Sequence, residues 1–222
     1  MEARGEVLAR FVVTKVGFLR DSKRILMLCA NSVVIIENGV DSIKYEFRFA
    51  DIDLELSQDP NNRTFLMKTK GKSSDRYTTR DRAELLCMFN KLKHRHRILF
   101  NGDVKLARYN ASVRCLVYCA SVAYDGGEHS MEVLFCDIKQ LARHTADSGE
   151  VVEIHLVDGS VIALQMERVG EFITSIRNAA QALGVAIEGD TRRGAPQEDE
   201  GRTIFACPAS KKMGSSASIA VT

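Results

Sequence analysis

The hydrophobic period of this chain changes from two to 3.6 twice, which restricts it to a repeated unit of short strands followed by one helix. Ile43, Tyr45, Phe47 and Phe49 alternate with Lys44, Glu46 and Arg48, the mark of a half-buried strand. Asp51, Asp53 and Glu55 then alternate with Ile52, Leu54 and Leu56. Residues 7–16, 25–29, 32–37, 63–69 and 75–78 also read as strands, so about seven are expected. Turn chemistry separates them at Asn38-Gly39, Asp59-Pro60-Asn61-Asn62 and Lys70-Gly71-Lys72-Ser73-Ser74. The period then lengthens. Asp81 with Glu84 predicts a capping box, and Leu85, Leu86, Phe89 and Leu92 predict one apolar stripe. Arg82, Lys91, Lys93 and Arg95 are expected to face water.

Asn101-Gly102-Asp103 predicts a boundary, after which the order recurs. Strands are expected over 113–119, 122–124, 131–135, 138–143, 151–157 and 161–166, with turns at Asp125-Gly126-Gly127 and Asp158-Gly159. Val169, Phe172, Ile173, Ile176, Ala180 and Leu183 share one face of a second helix, which Gly184 terminates. The composition from 188 onward is too poor in apolar residues to offset the entropy of ordering, which predicts disorder. The expected organisation is a first module at 1–101, a second at 102–187 and a disordered tail at 188–222.

Lys and Arg total 31 against 29 Asp and Glu, so no global field favours nucleic acid. The excess is uneven: residues 1–101 are net +6 and the remainder net −4, which directs an anionic partner to the first module. The start of the chain carries Glu2, Arg4, Glu6 and Arg10, which excludes a signal peptide there, and no apolar run approaches the 18 or so residues of a membrane span. The six cysteines sit mostly in apolar runs and read as reduced, buried thiols of a cytosolic protein. The sequons at Asn62 and Asn110 then read as chance matches.

Residues 15–24 form the main candidate site. Between two strands, Phe18 and Leu19 would make an apolar loop tip flanked by Lys15, Arg20, Lys23 and Arg24. Such cations donate charge-assisted hydrogen bonds to a phosphomonoester, and the tip can enter a lipid interface. The same residues could instead complete the core beneath solvated cations. Lys68, Lys70 and Lys72 form a second basic cluster, which serves either the same anionic surface or protection of a strand edge. His94-Arg95-His96 lacks helix-face spacing for a metal and suits a helix C-terminus. Cys115 and Cys119 lack paired zinc-site spacing. No Gly-rich phosphate loop, Gly-x-Ser-x-Gly elbow or His-Glu-x-x-His helix is present, so neither catalysis, a metal nor a cofactor is expected.

Strands closed by one amphipathic helix resemble the pleckstrin-homology superfold, which implies a mainly β chain of two tandem barrels, each with a helical lid. The run Ala9-Arg10-Phe11-Val12-Val13-Thr14-Lys15, then Phe18 and Lys23-Arg24-Ile25-Leu26, resembles the N-terminal region of the endosomal DnaJ homologs of subfamily C. Arg108-Tyr109-Asn110 resembles the start of that region's second module, and the resemblance spans about 7–185. It implies a peripheral protein on the cytoplasmic face of the early endosome, active in receptor-mediated endocytosis. Its partners would be phosphatidylinositol 3-phosphate and other endosomal sorting proteins. Phe18 stands where the family has Trp, and Ser22 where an aromatic is expected. No His-Pro-Asp tripeptide occurs, so J-domain chemistry is absent and the chain reads as a fragment or as a front end alone. The alternative is a scaffold that binds peptides along an exposed strand or groove, without lipid affinity.

Overall fold

The computed structural model describes residues 5–37, 39, 43–57, 63–126, 129–147 and 149–189. The protein is mainly β, with two antiparallel sheets of seven strands. The first contains β1 (Val7–Lys15), β2 (Ser22–Cys29), β3 (Ser32–Glu37), β4 (Ile43–Arg48), β5 (Ile52–Leu56), β6 (Thr64–Thr69) and β7 (Asp75–Thr78), followed by helix α1 (Arg82–Lys93). The second contains β8 (Ile98–Leu106), β9 (Ala111–Tyr118), β10 (Ser121–Asp125), β11 (Met131–Leu134), β12 (Ile138–Ala146), β13 (Gly149–Leu156) and β14 (Val161–Gln165), followed by α2 (Val169–Ala182). The strand orders correspond one to one: β4-β3-β2-β1-β7-β6-β5 and β11-β10-β9-β8-β14-β13-β12. In each, the first strand joins the last: Lys15 pairs with Tyr77, and Lys105 with Gln165. Each sheet is nevertheless open, because among the described residues no ladder joins β4 to β5 or β11 to β12.

Alternation and helical stripes place the core. Phe11, Val13, Leu26, Leu28, Phe65 and Tyr77 meet Leu85, Leu86 and Phe89 of α1 in the first cluster. Phe100, Val104, Val117, Phe135 and Ile154 meet Val169, Phe172, Ile173 and Ile176 of α2 in the second. Full burial of such a side chain is worth about 1.5–3 kcal/mol, so the helices contribute to stability mainly through these faces. Gly184, at φ 66, ends α2 with the Val185 N–H on the Ala180 carbonyl (2.9 Å) and its own N–H on Gln181 (3.0 Å), a Schellman motif.

The structure corrects several expectations. Asn101-Gly102-Asp103 lies inside β8, paired with Leu116, Cys115 and Arg114, so ladder pairing overrides the local turn chemistry. The chain therefore passes from α1 to the second sheet through 94–97. Arg108-Tyr109-Asn110, expected at the start of the second module, occupies the β8–β9 turn within it. Asp81 makes no side-chain cap; its own N–H donates to Thr79 Oγ1 at 3.3 Å. Arg82 is buried, its Nη1 donating to the Thr64 carbonyl at 3.2 Å, and Lys93 Nζ turns inward to the Ile52 carbonyl at 2.8 Å. Glu188 takes part in a bridge to Gln140 on β12, so order persists past the expected start of the tail. Asn38, the turn at 59–62, Gly127 and the tail from 190 lie outside the described residues.

Helix α1 also touches the second sheet. Cys87 belongs to the second core, Lys91 pairs with Glu132 at 2.6 Å, and Leu56 fills the space beside Gly184.

Candidate functional site

Antiparallel pairing brings three connections of the first sheet to one end. Lys15 faces Ser22 across the β1–β2 turn and Tyr77 on β7, and the Val16 N–H donates to the Arg76 carbonyl at 2.9 Å. Arg24 faces Glu37, the last residue of β3, and Met67 faces Asp75 across the β6–β7 turn. Loop 16–21, loop 70–74 and the end of β3 therefore share this end.

Loop 16–21 is drawn tight at its base. Asp21 Oδ1 accepts the Gly17 N–H at 3.2 Å, and the Arg20 carbonyl stands close enough to Gly17 to exclude any β-carbon there. The tip this presents is apolar. Phe18 is 100% exposed and Leu19 93% exposed, so neither completes the core. Arg20 and Lys23 are exposed beside them. Lys70 and Lys72 are exposed on the neighbouring loop, where Lys72 Nζ lies 6.0 Å from the centre of the Tyr45 ring.

The other expected cations are engaged. Lys15 Nζ is 2.7 Å from Asp75 Oδ2, and Lys68 Nζ is 2.6 Å from Glu55 Oε2. Arg24 departs furthest from expectation. It is 8% exposed, with Nη1 2.7 Å from Glu37 Oε1 and 3.0 Å from the Lys23 carbonyl, because its place in β2 turns it toward β3. Beneath the site, burial pushes the Tyr77 hydroxyl well above its ordinary range and nearby Asp75 adds to the effect, so this phenol stays neutral. Tyr45 was not legible as a surface residue. Alternation assigned it to an inner face, yet edge strand β4 leaves it 42% exposed beside the basic loop.

The equivalent end of the second sheet differs. Tyr109 stacks on His129 with ring centres 4.2 Å apart, and Arg108 lies over Tyr109 at 5.4 Å. Asp158 sits in the adjoining turn, held below the usual carboxylate range by hydrogen bonds from Ser160. A cleft of about 950 Å³ opens on this sheet, lined by β8, β9 and residues 165–168. Its cations Lys105, Arg114 and Arg168 are matched by Asp103, Glu150 and Glu167, so it offers no field for an anion.

Among the described residues no cluster of three or more His, Cys, Asp or Glu could hold a metal, and no helix is long and apolar enough to cross a membrane. His94 caps the end of α1 through its N–H on the Asn90 carbonyl, consistent with a helix-terminal role. Cys115 is fully buried and burial pushes its thiol up to about 12, so it is unreactive.

No family model and no curated protein matches this chain. Several solved structures are similar to parts of it. The C-terminal domain of an unknown protein from Leishmania infantum is 12% identical, with a TM-score of 0.35 over 40% of this chain and 84% of that one. The Slm1 PH domain in complex with inositol-4-phosphate is 10% identical, with a TM-score of 0.32 over 39% and 92%. The Spt16D–Pob3N heterodimer is 14% identical, with a TM-score of 0.37 over 48% of this chain and 62% of that one. None of the three speaks to a ligand of this chain.

Proposed function

We propose that this chain is a non-enzymatic membrane-recruitment module that docks, loop 16–21 first, on an anionic leaflet carrying a phosphoinositide. Phosphatidylinositol 3-phosphate on the cytoplasmic face of the early endosome is the target that the resemblance of residues 9–26 implies. In this reading each sheet and its helix form a pleckstrin-homology-like barrel, with the seam between Lys93 and Ile98. The second barrel scaffolds or adds a further contact.

The exposure of Phe18 and Leu19 on a pinned turn carries the reading. Leaving such side chains in water forfeits about 1.5–3 kcal/mol each, and the membrane interface recovers much of it. Arg20, Lys23, Lys70 and Lys72 each add about 1 kcal/mol beside an anionic leaflet. About 4 kcal/mol corresponds to millimolar affinity, so charge alone cannot hold the protein. Insertion of the tip and pairing of a headgroup phosphate with the same cations supply the remainder.

Flotation with phosphatidylcholine vesicles, with and without phosphatidylinositol 3-phosphate, tests the proposal. The folded protein should float only with the phosphoinositide, and Arg20→Glu with Lys23→Glu should abolish flotation. Absence of flotation on every anionic vesicle would reject membrane recruitment and favour the peptide-binding scaffold.

A further inference from the structure

Helix α1 turns a second stripe, Glu84, Cys87 and Lys91 at i, i+3 and i+7, away from the first core and toward the second sheet. Lys91 anchors one end of this stripe on Glu132. In its middle, Cys87 is fully buried within the second hydrophobic cluster, and Cys136 packs against that cluster from the 3-10 turn Phe135–Asp137. Cys87 and Cys136 therefore lie on the two sides of one junction, on α1 and on the turn that packs against it, and Cys136 is only half-buried. Of these two thiols, one is reachable from water and the other is sealed.

We propose that Cys87 and Cys136 form an oxidation-dependent disulfide that staples α1 to the second sheet. A low-molecular-weight disulfide such as oxidised glutathione is the oxidant. The Cys136 thiolate attacks one glutathione sulfur; the mixed disulfide forms as the glutathione S–S bond breaks, and one glutathione thiolate departs. Cys87 gives up its proton and attacks Cys136 Sγ, forming the protein disulfide and releasing the second glutathione. Two protein thiols lose two electrons, one glutathione disulfide gains them, and the two protons leave on two glutathione thiols.

The surroundings set the order of events. Cys136 is held above the ordinary thiol range by its hydrogen bond to Cys87, by burial and by the carboxylates Asp137 and Glu84. The same hydrogen bond favours the thiolate at Cys87, the residue that must complete the exchange. The first step is therefore slow at neutral pH and the second quick, which suits a staple set by sustained oxidation.

The test incubates the full chain with oxidised glutathione at about pH 8.5, where an ordinary thiol is half ionised, followed by peptide mapping without reduction. The wild-type chain should yield a Cys87–Cys136 cross-linked peptide and a raised unfolding midpoint that returns on reduction. Cys87→Ser, or Cys87→Ala if the serine does not fold, should trap glutathione on Cys136. Cys136→Ser should show neither the cross-link nor the raised midpoint. Wild-type protein without the cross-link, or cross-linked only through Cys119 or Cys207, would overturn the proposal.

Discussion

The carbonyl oxygen of Arg20 stands 2.2 Å from where a β-carbon on Gly17 would lie. No side chain fits that gap, so the closeness of these residues makes glycine a condition of the tip geometry. Gly17→Ala must open the turn, and the turn is on the surface. The expected outcome is a several-fold loss of affinity for phosphoinositide vesicles, with stability changed by no more than about 0.5–1 kcal/mol. Vesicle sedimentation and thermal unfolding of the same sample check both halves. Full affinity in the variant would separate binding from the tip.

Phe18→Ala and Leu19→Ala remove side chains that make no contribution to the core. Stability should stay at the wild-type value. Vesicle partitioning should fall by roughly one to two factors of ten for Phe18→Ala, the equivalent of about 1.5–3 kcal/mol of lost interfacial burial. A drop in unfolding midpoint without a change in partitioning would show the ring to be structural.

Arg24 and Arg20 should part company under mutation although both are cations of one short stretch. Arg24→Ala leaves Glu37, among the described residues, with Lys44 alone at 3.7 Å, and empties a buried position between β2 and β3. Losing one partner of a part-buried, charge-assisted bond costs about 1–3 kcal/mol, measurable by urea unfolding. Arg20→Ala should leave the urea curve in place and weaken vesicle binding. The reverse pattern would move the anion site from loop 16–21 to the β2–β3 junction.

Why those two arginines differ was not legible in the sequence, whereas most strands were. Alternation depends on one face being buried, and that held for β5, where Ile52 and Leu54 are buried and Asp53 and Glu55 exposed; β3 and β7, expected at 32–37 and 75–78, were found there as well. It failed at β8, because Asn101-Gly102-Asp103 looks like a turn and only the long-range ladder with β9 makes it a strand. The loop tip was legible as a basic and apolar stretch, but exposure of Phe18 depends on a chain reversal that local pattern does not encode. Arg24, Arg82 and Lys93 read as solvated because charge is the local signal. Their burial is set by acceptors 13, 18 and 41 residues away: Glu37, the Thr64 carbonyl and the Ile52 carbonyl.

His94 gives the fold a pH dependence with a defined sign. Burial first, then the neighbouring cations Lys93 and Arg97, lower its pKa from 6.5, so the folded state favours the neutral ring. Above 6.5 this contribution is fully present. As pH falls through that value the unfolded chain takes up the proton first, and stability is lost until the folded-state pKa is passed. Urea unfolding of wild type and His94→Gln between about pH 7.5 and pH 5 should show the wild type losing more stability on acidification. Parallel curves would remove His94 as a source of acid sensitivity.

Helix α1 answers to two masters: Leu85, Leu86 and Phe89 belong to one interior, while Cys87 belongs to the other. Pulling the halves apart would strip a covering from both, so the seam between them is a poor place for the chain to yield. Heat should melt the two sheets together, and a protease cut at 94–97 would sever the chain without freeing either part to stand alone.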